Sequence, residues 1–193
     1  MGMAKKLLLY ALVPFLALVD QLSKWWVIER FFRMRTFEAH EQGKLFGEWL
    51  VSLAQTPFPS VKFEIMPFFN LVMVWNKGVS FGMFASDDSL VPLFLGGTAL
   101  LMCCVFLIWI WRTPHLMTAF PLVLICAGAI SNVWDRARFG GVADFLDFYW
   151  GDIHYPAFNL ADSFIVLGVA WLAFDGVVLE PRRLKQIPKP SVT

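Results

Sequence analysis

Three long apolar stretches dominate the chain, at residues 91–111, 116–134 and 156–174. Each approaches the roughly 20 residues that a helix needs to cross the hydrocarbon of a bilayer. The first two hold no ionisable side chain except cysteines, and the third holds one carboxylate, Asp162. A fourth stretch, 7–28, begins apolar and then admits Asp20 and Lys24. The pattern predicts four membrane-spanning helices. RTPH (112–115) makes a tight turn between the second and third, and Pro156 suits the first turn of the last.

Between the first and second spans the periodicity changes. Residues 36–55 are mildly amphipathic, with Phe37, Leu45, Trp49 and Leu53 set among charges, and read as an interfacial or lid-like helix. Pro57 and Pro59 break it. Val61, Phe63 and Ile65 then alternate with Lys62 and Glu64, a strand pattern that continues through FFNLVMVWN (68–76). The glycines of KGVSFGMF (77–84) suit tight turns. The expected fold class is therefore an α-helical integral membrane protein: four transmembrane helices, a small extramembrane β-rich element and a short amphipathic helix. One domain would run over residues 1–180, with about 30–90 outside the membrane. A mobile basic tail, 181–193, would follow.

Composition agrees with the pattern. The chain has 193 residues, of which 58% are hydrophobic and 16% charged. Its mean hydropathy is +0.62, well above that of a soluble domain. Lys5 and Lys6 ahead of an apolar run could open a signal peptide, but no small-residue cleavage site follows, so an uncleaved first span is expected. A net charge of +1 gives no case for nucleic-acid binding. Basic residues divide almost evenly between the two sets of loops; the basic tail favours both termini inside. Cys103, Cys104 and Cys126 all lie in apolar spans and read as small buried hydrophobes. His40, His115 and His154 form no metal-ligand spacing, and neither metal nor cofactor is expected.

Polar side chains within spans are costly and face protein or a watery cavity. Asp20 and Lys24, four apart on one helix face, could pair, either as a structural tie or in catalysis. Asn132, Asp135 and Arg136 share a face where the third span ends, with Asp135 or another carboxylate expected to satisfy Arg136. Asp162 stands apart: it follows Asn159 by three residues and has no cation within helical reach. A lone buried carboxylate holds its proton, which suits a general acid or one half of a proton-sharing pair. Asp144, after the turn at Gly140 and Gly141, is the favoured partner. Asp147 and Asp152 read as solvated loop residues. Two carboxylates sharing one proton can deprotonate a water and protonate a scissile carbonyl, which suits peptide hydrolysis.

DQLSKWWV (20–27), NKGVSFG (76–82), SNVWDR (131–136), VADF (142–145) and FNLAD (158–162) occur in that order. Together they resemble the lipoprotein signal peptidase family, also called signal peptidase II, over roughly residues 10–175. The resemblance implies a bacterial inner-membrane aspartyl protease with both termini cytoplasmic and its active site near the outer face. It implies a prolipoprotein substrate, cut before a lipobox cysteine that carries diacylglycerol. Asp144 and Asp162 fall on the catalytic pair. Asp20, Lys24, Asn76, Gly78, Asn132, Asp135, Arg136 and Asn159 fall on residues that line or support the site. Membrane lipids would surround a monomer, and residues before Asn76 would form an extramembrane β-cradle with a lid. Ser131 stands where the family motif has glycine, and the segment from Lys24 to Asn76 is longer than usual.

Two rivals remain. A transporter or proton relay would also place carboxylates and a lysine within spans, but would spread them through the membrane depth. In a non-catalytic assembly factor, Asp144 and Asp162 would be structural only.

Overall fold

The computed structural model describes residues 1–37, 43–53, 55–78 and 90–185. It is mostly helical, with one small antiparallel sheet. Helix α1 spans Met3–Trp25 and continues through a wider-turned stretch, Trp26–Phe32, into α2, Arg33–Thr36. The first predicted span thus overruns its expected end, and the extension places Val27, Ile28 and Phe32 in a buried cluster with Trp49, Phe58, Met73 and Phe145. Helices α4 (Leu90–Arg112), α5 (Leu116–Phe139) and α6 (Leu160–Phe174) follow the other three apolar stretches. Beyond α6 the chain continues helically through Asp175–Leu179 into α7, Glu180–Lys185, where a mobile tail was expected to begin.

Among the described residues, three helical segments are long and apolar enough to cross a membrane: Leu93–Arg112, Leu116–Phe139 and Leu160–Lys185. Helix α1, at about 35 Å, has the length to do so. It carries Lys5 and Lys6 near its start and Asp20 and Lys24 near its end.

Helix α5 lies at the centre, packed against α1, α4 and α6. Its contact with α6 is close because Gly128 offers no side chain: a Cβ there would stand 2.3 Å from the carbonyl oxygen of Ala161. Helix α5 ends at Gly140, whose φ of 71° is the left-handed geometry of a helix C-terminus. The chain then leaves as a strand.

That strand carries Asp144 and also Asp147, which was expected to be a solvated loop residue. Val142–Trp150 forms β3, which pairs with β2 (Phe69–Asn76), which in turn pairs with β1 (Lys62–Met66). A two-residue strand, β4 (Ile153–His154), adds to β3 through a turn at Gly151. An irregularity in β2 between Leu71 and Val74 has a specific consequence. Asn70 and Asn76 have the same parity in β2, yet they bond Asp147 and Asp144, which have opposite parity in β3. An extra residue in β2 reverses its alternation, so each asparagine meets its aspartate.

The expected amphipathic helix over 36–55 is shorter in the structure. Among the described residues there, Thr36 is the last of α2, and α3, Phe46–Val51, is the one further helix; Leu45 and Ser52 are extended, and residues 38–42 and 54 lie outside the described set. Trp49 of α3 is buried, its ring 4.1 Å from the guanidinium of Arg138. Arg138 donates to the carbonyl of Trp49 at 2.7 Å, and Trp134 donates to that of Leu50 at 3.1 Å. The end of α5 therefore clamps the inserted segment. The turns expected over 77–84 fall mostly outside the described residues.

Candidate active site

Asp144 sits on β3 opposite Val74 and is almost wholly buried. Its Oδ1 accepts from Asn159 Nδ2 at 2.7 Å and its Oδ2 from Asn76 Nδ2 at 3.1 Å. Burial and the neighbouring Asp162 charge push its pKa up to about 7, against the lowering effects of Asn76, Lys24 and Asn159.

Asp162 is the third residue of α6. The last span starts here rather than near Pro156, because Asn159 is the residue that caps it: its Oδ1 accepts the Asp162 N–H at 2.9 Å, and Asp162 Oδ2 accepts the Asn159 N–H at 3.2 Å. The other oxygen, Oδ1, accepts from Asn132 Nδ2 at 2.8 Å.

Three carboxamides thus serve the two carboxylates, and each is oriented from its far side. Asn76 Oδ1 accepts from the Gly78 N–H at 3.2 Å, Asn159 Oδ1 from the Asp162 N–H, and Asn132 Oδ1 from Lys24 Nζ at 3.1 Å. With its oxygen committed to a donor, each side chain must turn its NH2 towards Asp144 or Asp162.

Lys24 belongs to a buried ionic group. Its Nζ lies 2.7 Å from both Asp20 and Asp135, with all three side chains fully enclosed. Asp20 also accepts from Ser131 Oγ at 2.5 Å and from the Ala161 N–H at 2.8 Å, which joins α1 to α5 and α6. Asp135 accepts from Gln21 at 2.8 Å, from Arg138 at 3.4 Å and from the Ala143 N–H at 3.3 Å. Asp135, one of the carboxylates expected to satisfy Arg136, does not pair with it: two positions further on, Arg138 turns inward to Asp135 instead. Arg136 donates to the carbonyl oxygen of Asn132 at 3.3 Å, and its charge acts on both Asp144 and Asp162.

The structure separates the two remaining aspartates. Asp152 is exposed in the turn before β4, as expected for a loop residue. Asp147 is instead buried in β3, where it accepts from Asn70 Nδ2 at 2.8 Å and lies 2.8 Å from His154 Nδ1. Burial would raise its pKa, but Asn70 and His154 outweigh burial and leave it below the usual carboxylate range. Nothing in the spacing of Asn70 or Gln21 announced these roles, because their partners Asp147 and Asp135 lie 77 and 114 residues away; the three-residue spacing of Asp135 and Arg138 was a local signal that could have been read. Beside Asp162 opens a cavity of about 780 Å³, walled chiefly by Phe148, Tyr155, Phe158, Ile165 and Val166.

The family model for signal peptidase II matches residues 12–178, an interval that contains every side chain of this site. The chain belongs to the signal peptidase II family. The lipoprotein signal peptidase of Aeromonas hydrophila is 40% identical over 136 residues, covering 69% of this chain and 80% of its own. That of Sulfurihydrogenibium sp. is 40% identical over 124 residues, covering 62% and 76%. A solved bacterial membrane enzyme structure, obtained in meso at 2.3 Å, shares the fold with a TM-score of 0.63 at 20% identity, over 97% of this chain and 95% of that one. The signal peptidase II match accounts for an ordered polar site among apolar helices better than a transporter does.

Proposed function

We propose that the protein, a bacterial membrane protease by its family, is an aspartyl endopeptidase whose dyad is Asp144 and Asp162. It removes signal peptides from prolipoproteins by cutting before a diacylglyceryl-modified cysteine. The observation that carries this reading is the joint enclosure of the two carboxylates by Asn76, Asn132 and Asn159, with Asp144 raised to about 7. At neutral pH such a pair retains one proton between two carboxyl groups. The ionised member takes a proton from a water as its oxygen attacks the scissile carbonyl carbon. The protonated member donates to the carbonyl oxygen, and collapse of the tetrahedral adduct returns a proton to the departing amine. The anchored carboxamides hold the carboxylates in place without competing for the shared proton, since each presents only N–H. The Arg136 charge favours the ionised member.

The surrounding architecture suits a lipid-bearing substrate. The cavity beside Asp162 is walled by aromatic and aliphatic side chains, as a diacylglyceryl group requires. We read α1 as the fourth span: Asp20 and Lys24 neutralise each other inside the bundle, so its lipid-facing surface remains apolar. Four spans put both termini on the cytoplasmic side and the sheet, with the dyad, at the outer face. One domain, residues 1–180, acts as a monomer, with α3 and its flanks beside the cradle.

The purified protein should cleave a lipobox peptide carrying diacylglyceryl-cysteine, and should do so in the presence of EDTA. Equal cleavage of the unlipidated peptide would contradict the substrate assignment, and loss under EDTA would contradict the aspartyl mechanism.

A further inference from the structure

At the end of the bundle away from the two carboxylates, the turn from α4 to α5 lies beside the return from α6 into α7. Asp175, almost fully buried, accepts from Thr118 Oγ1 at 2.6 Å and is ion-paired with Arg183. Arg183 also donates to Thr118 Oγ1 at 3.3 Å. These contacts border a cavity of about 360 Å³ lined by Trp109, Arg112, His115, Thr118, Glu180 and Arg183, among others. Nothing in the proposed reaction uses it. Along α5, Leu116 and Asp135 are separated by about 28 Å, close to the thickness of a bilayer's hydrocarbon.

We propose that this cavity binds the phosphodiester headgroup of an anionic glycerophospholipid, in the leaflet opposite the proteolytic site. The charge balance favours an anion: Lys5, Lys6, Arg112, Arg182, Arg183 and Lys185 gather at this end against Asp175 and Glu180. Arg183 is held in a fixed orientation by Asp175 and Thr118, while its five N–H donors exceed what those two partners use. Arg112 makes no ion pair among the described residues and ends α4 at the cavity mouth. A planar guanidinium fork matches phosphate oxygens better than a point charge does. Glu180 sets a limit, because its carboxylate repels a multiply charged phosphate more than a singly charged diester.

A second feature selects a lipid over a free ion. Trp109 and Leu184, which line the cavity, are exposed, as is Leu116 next to its His115, and Trp171 donates from Nε1 to the carbonyl of Met117 at 3.1 Å. Tryptophan at this depth marks the membrane–water interface, and the apolar side chains offer a track for acyl chains. Basic pockets between helices at that interface recognise anionic lipid headgroups. This site is independent of the dyad assignment.

The test uses the full-length protein purified in detergent. Native mass spectrometry is run after equilibration with equal amounts of phosphatidylglycerol and phosphatidylcholine, with and without inorganic phosphate. The expected result is preferential retention of phosphatidylglycerol, undisturbed by millimolar inorganic phosphate. Arg112→Gln combined with His115→Gln should lower that preference about fivefold, with cleavage of the lipobox peptide retained. Equal retention of the two lipids by the unaltered protein would overturn the proposal. So would displacement by inorganic phosphate, or an undiminished preference in the double variant. The comparison of lipids on the unaltered protein stands whatever the variants do.

Discussion

Asn159 donates to Asp144 Oδ1 at 2.7 Å while its own carboxamide oxygen accepts the amide of Asp162 at 2.9 Å. One side chain therefore caps α6 and links both carboxylates of the site. Standing between strand β3 and helix α6, Asn159 ties the positions of the two aspartates to one another.

Replacing Asn159 separates those two duties. Asn159→Ser can still cap the helix but cannot reach Asp144 with an N–H. It should keep the melting temperature within a few degrees of wild type and lower kcat by about 10²-fold. Asn159→Ala should lose the same activity and about 1 kcal/mol of stability as well. Thermal melts and cleavage rates measured together distinguish the two.

The raised pKa of Asp144 gives a pH dependence with a definite sign. The folded protein holds a proton on Asp144 up to about pH 7, which the unfolded chain releases near pH 4. Stability attributable to this group therefore falls as pH climbs from about 4 to 7. Asp144→Asn should abolish that part of the slope in a denaturation series. In the wild type, kcat/KM should decline above about pH 7 as the shared proton is lost.

Lys24 is the only cation in contact with Asp20 among the described residues, and it shares Asp135 with Arg138. Lys24→Met leaves Asp20 buried and unpaired and should cost about 3–5 kcal/mol. It also removes the Lys24 donor from the oxygen of Asn132, leaving the longer bond from Asn159. Yield and melting temperature should fall steeply, and the double change Asp20→Asn with Lys24→Met should recover part of the loss.

Asp147 looked like a bystander in sequence and is instead a buried structural carboxylate. Its depressed pKa means that its stabilising contribution is present at neutral pH and lost as pH falls below the usual carboxylate range. Asp147→Asn should retain most proteolytic activity, since its partners Asn70 and His154 lie outside the dyad, and should lower the melting temperature slightly at pH 7. A loss of turnover comparable to that of a dyad variant would contradict this division.

The helices, the strand alternation over 61–65 and the Asp20–Lys24 pair were legible because their signals are local: apolar length, period two, and a four-residue spacing. Asp162 was singled out by its lack of a cation within helical reach, and Asp144 was favoured as its partner by its place after the Gly140–Gly141 turn. The family resemblance then implied the catalytic roles proposed for them. What escaped depends on distant segments. The strand Val142–Trp150 is set by pairing with β2, about 70 residues earlier, and Asp147 is buried by that pairing. The irregularity at Leu71–Val74 reverses which face Asn76 presents, which no alternation in the sequence marks. Arg138 rather than Arg136 reaches Asp135 because Trp49, from the long inserted segment, packs over its guanidinium.

The proposed proteolytic pair is tested most directly by single-turnover cleavage of a diacylglyceryl-cysteine lipobox peptide by wild type, Asp144→Asn and Asp162→Asn, each shown to be folded by its thermal melt. Both variants should lose at least about 10³-fold in rate, since an asparagine can neither take the proton of the attacking water nor supply one to the carbonyl. A folded Asp144→Asn or Asp162→Asn protein that turns over at near wild-type rate would contradict the dyad.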